Sequence, residues 1–400
     1  MYFYQEVAEQ MFRLGVNDRR ISRFENMFPM PEGVCYNSYL LMGEKNLLMD
    51  TVDACFMDQF LENLEAALQG KALDYIVISH MEPDHSTAIE AVMRAHPECK
   101  LVGNAKSFQF MEQFYGEQPK ERWIEVKDGD TLDIGNRTLQ FIFAPMVHWP
   151  EVMMTMTDRG ELFTADAFGS FGAIAGHIFS DTMELDEAFM NEARRYYINI
   201  VGKHGKNVTA LLKKLEGKDI QMILPLHGPI HRTQENIQKM VEKYRVWASF
   251  EPEEKGVLIA LASMYGNSAL AMDMLAYYLV EEGVKNVKIY DVSGTDYSYI
   301  TAAAHRYSHL VITPLTYNME LYPKMDAFLR DLVGTGYKNR TYSLVGNASW
   351  GGKAVKMAEE ILAPAKCEKI GEDLMLKSAA TQENLEELRN LAKEIAASLK

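Results

Sequence analysis

The chain has 400 residues, 48% hydrophobic and 24% charged, which is the mix of an ordinary soluble globular protein and longer than one hydrophobic core usually spans. A formal net charge of −15 argues against nucleic acid or an anionic membrane as partner. No apolar run approaches the roughly 18–20 residues of a membrane helix, and the start, MYFYQEVAEQ, lacks the basic-then-apolar build of a secretory signal. Cys35, Cys55, Cys99 and Cys367 are scattered and form no CxxC, so neither a disulfide framework nor a thiolate metal site is expected, and a reducing cytoplasm is the natural home.

To about residue 250 the pattern is one of short strands. Val34–Leu41 and Asn46–Thr51 flank the turn Gly43-Glu-Lys45, and Phe56–Leu68 has the apolar spacing of a helix. Tyr75–Ser79 reads as a strand, Leu101–Gly103 as another followed by a helix over Ala105–Phe114, and Thr131–Ile134 with Arg137–Phe143 as a hairpin about Gly135-Asn136. Leu139–Ala144, Leu162–Thr164 and Met222–Leu224 are further strand-like runs, and Asn191–Leu215 reads as helical. The mixture favours an α/β sandwich. Phe250-Glu-Pro-Glu-Glu-Lys-Gly256 is a linker candidate.

Beyond it strand and helix alternate: Val257–Ala262 then Ala269–Glu282, Val287–Val292 then Tyr297–Tyr307, Leu310–Thr313 then Leu321–Val333, and Tyr342–Val345 then Ala354–Leu362. A last strand near Leu374 and a helix from Gln382 follow. Five strands interleaved with helices predict a small parallel, doubly wound domain. The expected domains are therefore residues 1–252 and 253–400.

Seven metal-binding side chains lie directly after the strand-like runs of the first domain. They are His80, Glu82, Asp84 and His85 in Ser79-His-Met-Glu-Pro-Asp-His-Ser86, then His148, Asp166 and His227. The first four are expected on a tight, extended loop. Four imidazoles and three carboxylates are too many for one tetrahedral zinc and suit two metals sharing a bridging carboxylate. Any single histidine is more often a packed or surface residue than a ligand, and His96, His177, His204, His231, His305 and His309 are read that way.

This arrangement resembles the metallo-β-lactamase fold, whose hydrolases carry HxHxDH. Here Glu82 replaces the second histidine, and HxExDH followed by His148, Asp166 and His227 is the pattern of the flavodiiron proteins. The resemblance also covers Val34-Cys-Tyr-Asn-Ser-Tyr39, Val147-His-Trp-Pro150, Thr164-Ala-Asp166, Phe168–Gly172 and Arg195-Tyr-Tyr197, and runs on through the second domain. It implies an αββα sandwich joined to a flavodoxin-like doubly wound sheet. It also implies a non-haem diiron site with His80, Glu82 and His148 on one iron, Asp84, His85 and His227 on the other, and Asp166 as bridge. Tyr196 or Tyr197 is then expected behind the ligands as a catalytic group. Exchanging an imidazole for a carboxylate adds negative charge that favours the ferric state.

After the first strand of the second domain comes Ser263-Met-Tyr-Gly-Asn-Ser268. Backbone N–H groups of such a strand-to-helix turn, with hydroxyls and the helix N-terminus, can hold a phosphate. It has no P-loop lysine, which favours a monophosphate ester, and it resembles the FMN-phosphate loop of flavodoxins. The residues Ser263, Met264, Tyr265, Gly266, Asn267 and Ser268 are therefore expected at the phosphate. Two later loops match those that hold the flavin ring: Thr313, Pro314, Leu315, Thr316, Tyr317 and Asn318, then Gly346, Asn347, Ala348, Ser349, Trp350 and Gly351, with Trp350 free to stack. Asn347 and Ser349 depart from the Gly-Ser-(Tyr/Phe)-Gly-Trp more usual there.

The resemblance implies FMN and two irons as cofactors. Electrons would pass from an external donor through FMN to the diiron pair, reducing dioxygen to water or nitric oxide to nitrous oxide. Rubredoxin is the expected donor, reduced deazaflavin the alternative, because no Cys-rich module is present in the chain. Head-to-tail homodimers, alone or as a dimer of dimers, would bring one chain's flavin to the other's irons. The main rival reading is a zinc hydrolase of the metallo-β-lactamase type fused to a flavodoxin domain, and a second is a non-enzymatic electron carrier using FMN alone with a structural first domain.

Overall fold

The computed structural model describes residues 3–400, and the chain divides into two compact units, Met1–Arg245 and Val246–Lys400. In the first unit, one sheet has seven strands in the order Gln5–Ala8, Met11–Arg13, Tyr39–Leu41, Leu47–Met49, Tyr75–Val77, Lys100–Gly103 and Trp123–Glu125. Its first four strands pair antiparallel and its last three join in parallel. Each parallel step needs a crossover, supplied in turn by the helices Met57–Leu68, Ile89–Ala95 and Ala105–Tyr115. The second sheet runs Thr131–Asp133, Thr138–Phe143, Met153–Thr157, Glu161–Phe163 and Met222–Leu224.

The two sheets face each other directly. Their shared core holds Tyr39, Leu41, Met49, Val77 and Val102 from one sheet, and Leu139, Phe141, Met153, Phe163 and Leu224 from the other, with no helix residue among them. Alternate residues of the same strands, such as Leu40, Leu48, Ile76, Leu162 and Ile223, are equally buried on the outer faces. Helices therefore cover both outsides, giving the αββα sandwich.

The second unit is a parallel sheet in the order Val287–Asp291, Glu254–Leu261, Tyr307–Thr313, Thr341–Asn347 and Glu368–Lys369, with Leu374–Leu376 also pairing Thr341–Asn347. Side chains alternate between faces: Leu258, Leu310, Ile312 and Leu344 pack on one side, and Val257, Ile259, Val311 and Val345 on the other. The first face meets helices Tyr297–Arg306, Pro323–Gly334 and Ala354–Leu362; the second meets Asn267–Glu281 and Gln382–Ser398. The strand order reverses beside Glu254–Leu261, and a ligand crevice is expected there, beyond the carboxyl ends of the strands.

Four local expectations are corrected. Val34–Leu41 is two strands, Val34–Tyr36 and Tyr39–Leu41, in different sheets. The break falls where Asn37 turns away to bond Leu226, Pro225 and Gly228. Asn191–Leu215 is not one helix: Glu187–Tyr196 passes through a π-helical turn, Tyr197–Val201, and a 3₁₀ turn, Gly202–His204, into Gly205–Leu215. The linker segment is shorter than expected, since Glu254–Gly256 already belong to a strand and a helix, Gln234–Ser249, runs up to it. Finally, Asp84 and His85 sit on a helical turn, Pro83–Ser86, not an extended loop; Pro83 opens it and Ser86 Oγ donates back to Met81 and Glu82 carbonyls. Among the described residues no helix is long and apolar enough to cross a membrane, and all four cysteines are free.

Candidate active site

Each of the seven metal-type side chains is delivered just past a strand. After Tyr75–Val77 the backbone N–H groups of Ser79 and His80 donate to Asp50 Oδ1 at 2.7 and 3.2 Å, fixing the direction of the loop. Burial pushes the Asp50 carboxyl up to about 6 against these hydrogen bonds. Glu82 precedes the Pro83–Ser86 turn, which carries Asp84 and His85; His148, Asp166 and His227 follow Thr138–Phe143, Glu161–Phe163 and Met222–Leu224.

The side chains converge in two groups. In the first, His80 Nε2 is 3.2 Å from both Glu82 Oε2 and His148 Nε2, and His148 Nε2 is 3.2 Å from Glu82 Oε2 and 3.0 Å from Asp166 Oδ2. In the second, His85 Nε2 is 3.1 Å from His227 Nε2, and both lie 3.4 Å from Asp84 Oδ2. Asp166 Oδ1 faces this group, 3.2 Å from His85 and 3.6 Å from His227. Asp166 thus presents one oxygen to each group.

These separations suit donor atoms around a cation. Ligands at ~2.1 Å from a common centre lie about 3.0–3.4 Å from one another in octahedral or tetrahedral order. Both oxygens of Asp84 and Oδ1 of Asp166 are buried with no hydrogen-bond partner among the described residues, which is costly unless a cation faces them. Without it, burial disfavours charge on His80, Glu82, His85, His148 and Asp166, but mutual pairing prevails. His85 and His148 are pushed up to about 9, the former by Asp84 and Asp166, the latter by Asp166 and Glu82. Asp166 is held far below the usual carboxylate range by His85 and His148, and Glu82 by His148 and His80.

Apart from the tyrosines, the groups behind the ligands were not anticipated. Glu151 Oε1 accepts from His80 Nδ1 at 2.7 Å, and His227 Nδ1 donates to the Cys35 carbonyl at 2.8 Å, so each ring turns Nε2 inward. The Val147–Pro150 run stops one residue short of Glu151. Phe24 and Tyr36 stand edge-on to His227 at 5.4 and 5.7 Å, and Trp149 to His80 at 5.1 Å, forming an apolar wall. The two tyrosines separate. Tyr196 lies 5.6 Å from His227, its hydroxyl buried with no hydrogen-bond partner among the described residues, in space left by Gly169, where a Cβ would meet its ring at 3.0 Å. Tyr197 instead packs on Tyr244 at 4.8 Å.

In the second unit the three expected loops meet at the reversal of strand order, around a cavity of about 510 Å³, a size that accepts a cofactor. Ser263, Met264, Tyr265, Asn267, Ser268, Leu315, Thr316, Tyr317, Asn318, Asn347, Ala348, Ser349 and Trp350 line it. Gly266, Thr313, Pro314, Gly346 and Gly351 do not. They shape it instead: Gly266 turns the first loop at φ +91, and a Cβ on Gly346 would strike Val355 and Met375. Ser263 Oγ accepts from Gly266 and Ala269 N–H at 3.1 and 3.3 Å, so it organises the turn. Tyr265 and Trp350 stand 88% and 82% exposed at the rim, open for stacking. Ser378, not anticipated, also lines the cavity: Asn347 bonds both its N–H and its carbonyl, and reaches Ser268 Oγ at 3.1 Å, while Ser349 Oγ meets Ser378 Oγ at 2.8 Å.

Residues 34–228 match the family described as ODP family beta lactamase. The anaerobic nitric oxide reductase flavorubredoxin of Escherichia coli O1:K1 is 33% identical over 369 residues, covering 91% of this chain and 76% of that protein. Among solved structures, rubredoxin oxygen:oxidoreductase from the anaerobe Desulfovibrio gigas superposes with a TM-score of 0.93 at 27% identity, over 99% of this chain and 98% of the other. The flavodiiron protein of Giardia intestinalis gives 0.94 at 24% identity, over 100% and 97%, a likeness of fold.

Proposed function

The chain belongs to the flavodiiron protein family, and from that premise we propose how its residues divide the work of an oxidoreductase that reduces dioxygen or nitric oxide at a diiron centre. Residues 1–252 would carry the irons: His80, Glu82 and His148 would hold the first, Asp84, His85 and His227 the second, and Asp166, which faces both groups, would serve each. Residues 253–400 would carry FMN, the Ser263–Ser268 turn serving its phosphate and the Thr313–Asn318 and Gly346–Gly351 loops its ring. When bound, flavin and irons supply the redox chemistry and the protein supplies position and electrostatics. Between them they store four electrons, the number that takes dioxygen to two waters; two suffice to couple two nitric oxides.

The residues around the centre have simple duties in this reading. Glu151 and the Cys35 carbonyl orient the imidazoles. Phe24, Tyr36 and Trp149 limit water near His227 and His80. Tyr196, whose phenol burial and then the Asp166 charge keep protonated, offers an O–H beside His227. Tyr197, turned towards Tyr244, supports the π-helical turn. The electron donor is an external protein of rubredoxin type, with reduced deazaflavin as the alternative, and the chain works in the cytoplasm as a head-to-tail homodimer.

The observation that carries the reading is Asp166 facing both ligand groups, one oxygen to each. Metal analysis of purified protein should give two irons per chain, with a flavin spectrum and consumption of dioxygen or nitric oxide under a reduced donor. Zinc at both positions, with no such consumption, would return the chain to the hydrolases.

A further inference from the structure

The atoms that face the two metal positions are matched. Each position has two imidazoles, one carboxylate and one oxygen of Asp166. Direct ligand charge therefore cannot distinguish them. Burial separates them little: Glu82, Asp84 and His148 are each 8% exposed and the other three histidines 0%.

The difference lies one layer back. His80 Nδ1 meets Glu151 Oε1 at 2.7 Å, and the same oxygen accepts the Met81 N–H at 3.0 Å, between the two ligands His80 and Glu82. Glu151 is itself buried, and its backbone carbonyl is fixed by Asn104 Nδ2 at 2.6 Å. At the other position His227 donates only to a neutral carbonyl, that of Cys35, and His85 Nδ1 is buried with no hydrogen-bond partner among the described residues. A carboxylate accepting an imidazole N–H draws the ring towards imidazolate and makes Nε2 a stronger donor, and charge-assisted hydrogen bonds are roughly twice as strong as neutral ones.

We infer that the two metal positions differ in affinity, that the one formed by His80, Glu82 and His148 fills first, and that Glu151 is the positioning residue that sets this order. The inference rests on the binuclear reading above.

The test uses Co²⁺ alone, titrated anaerobically into the metal-free full-length protein, with d–d absorption reporting each step. Wild type should bind two equivalents in two steps, and crystals grown at one equivalent should show anomalous density beside His80, Glu82 and His148. Glu151→Gln keeps the volume and one oxygen acceptor but removes the charge. It should weaken the first step by about 10–100-fold, leave the second unchanged, and alter the first-step spectrum, an outcome that general loosening of the fold would not give. Equal weakening of both steps, no change in either, or first filling beside Asp84 and His227 would overturn the inference. Two equivalents bound with equal affinity would overturn it and leave the diiron reading standing. Uptake of one equivalent or none would remove both.

Discussion

His309 sets an acid limit on the flavin-binding unit. It lies at 0% exposure in the central strand Tyr307–Thr313, its ring nitrogens between Thr341 Oγ1 at 2.7 Å and Ser343 Oγ at 3.1 Å. Among the described residues no carboxylate bonds it, and burial pushes the imidazole down to about 3. A neutral imidazole satisfies this setting, donating from one nitrogen and accepting at the other, whereas a charged one would desolvate a full charge. In the unfolded chain the same ring titrates near 6.5. The unfolded state thus binds the extra proton first as pH falls, so the contribution is present above about 6.5 and is lost progressively towards about 3. At pH 5 the loss is about 1.5 units, or roughly 2 kcal/mol. His309→Gln keeps one donor and one acceptor but cannot titrate. Its melting temperature, followed by flavin release, is expected to fall less than that of wild type between pH 7.5 and 5, by roughly 4–8 °C. Acid effects at every other group are common to both proteins and cancel. Parallel melting curves across that range would refute the argument.

Three further outcomes follow from the proposed sites. Glu82→His restores a hydrolase-like ligand set and is expected to raise zinc over iron in metal analysis and abolish reduction of dioxygen and nitric oxide; full turnover in that variant would remove the redox role of Glu82. Ser263→Ala frees the N–H groups of Gly266 and Ala269 and is expected to lower FMN affinity about tenfold by equilibrium fluorescence while iron content stays at wild-type level; equal loss of iron would show that the two units do not fold separately. A mixed dimer of one chain without metal (His148→Ala with Asp166→Ala) and one without flavin (Ser263→Ala with Trp350→Ala) is expected to regain one working site under head-to-tail pairing. Purified mixed dimers that hold half the cofactors and stay inactive would exclude that arrangement.

The convergence of the seven metal-type side chains was legible in the sequence because metal chemistry admits few residue types and strand ends deliver them at fixed places. The alternating strands of the second unit were legible because runs such as Val257–Leu261 are buried on both faces and need apolar side chains throughout. The helix Gln234–Ser249 was missed although its signal was present: Ile237, Met240, Tyr244 and Trp247 recur at helical spacing and are all buried. Other features had no local signal. The break at Asn37 depends on carbonyls of Pro225 and Gly228, and Ser378 enters the cavity through Asn347, an expected ring-loop residue that departs from the family's usual pattern.

Glu151 shows why supporting groups are harder to read than ligands. Its task needs only an acceptor at the right place, and 71 residues separate it from His80. Several residue types, or a backbone carbonyl such as that of Cys35, can do the same for an imidazole. The ligands constrain residue type and tolerate little else; their supports constrain position and tolerate several chemistries. That freedom is what lets two positions with matched ligands acquire different properties, because exchanging a carbonyl for a carboxylate behind a histidine changes charge without disturbing coordination.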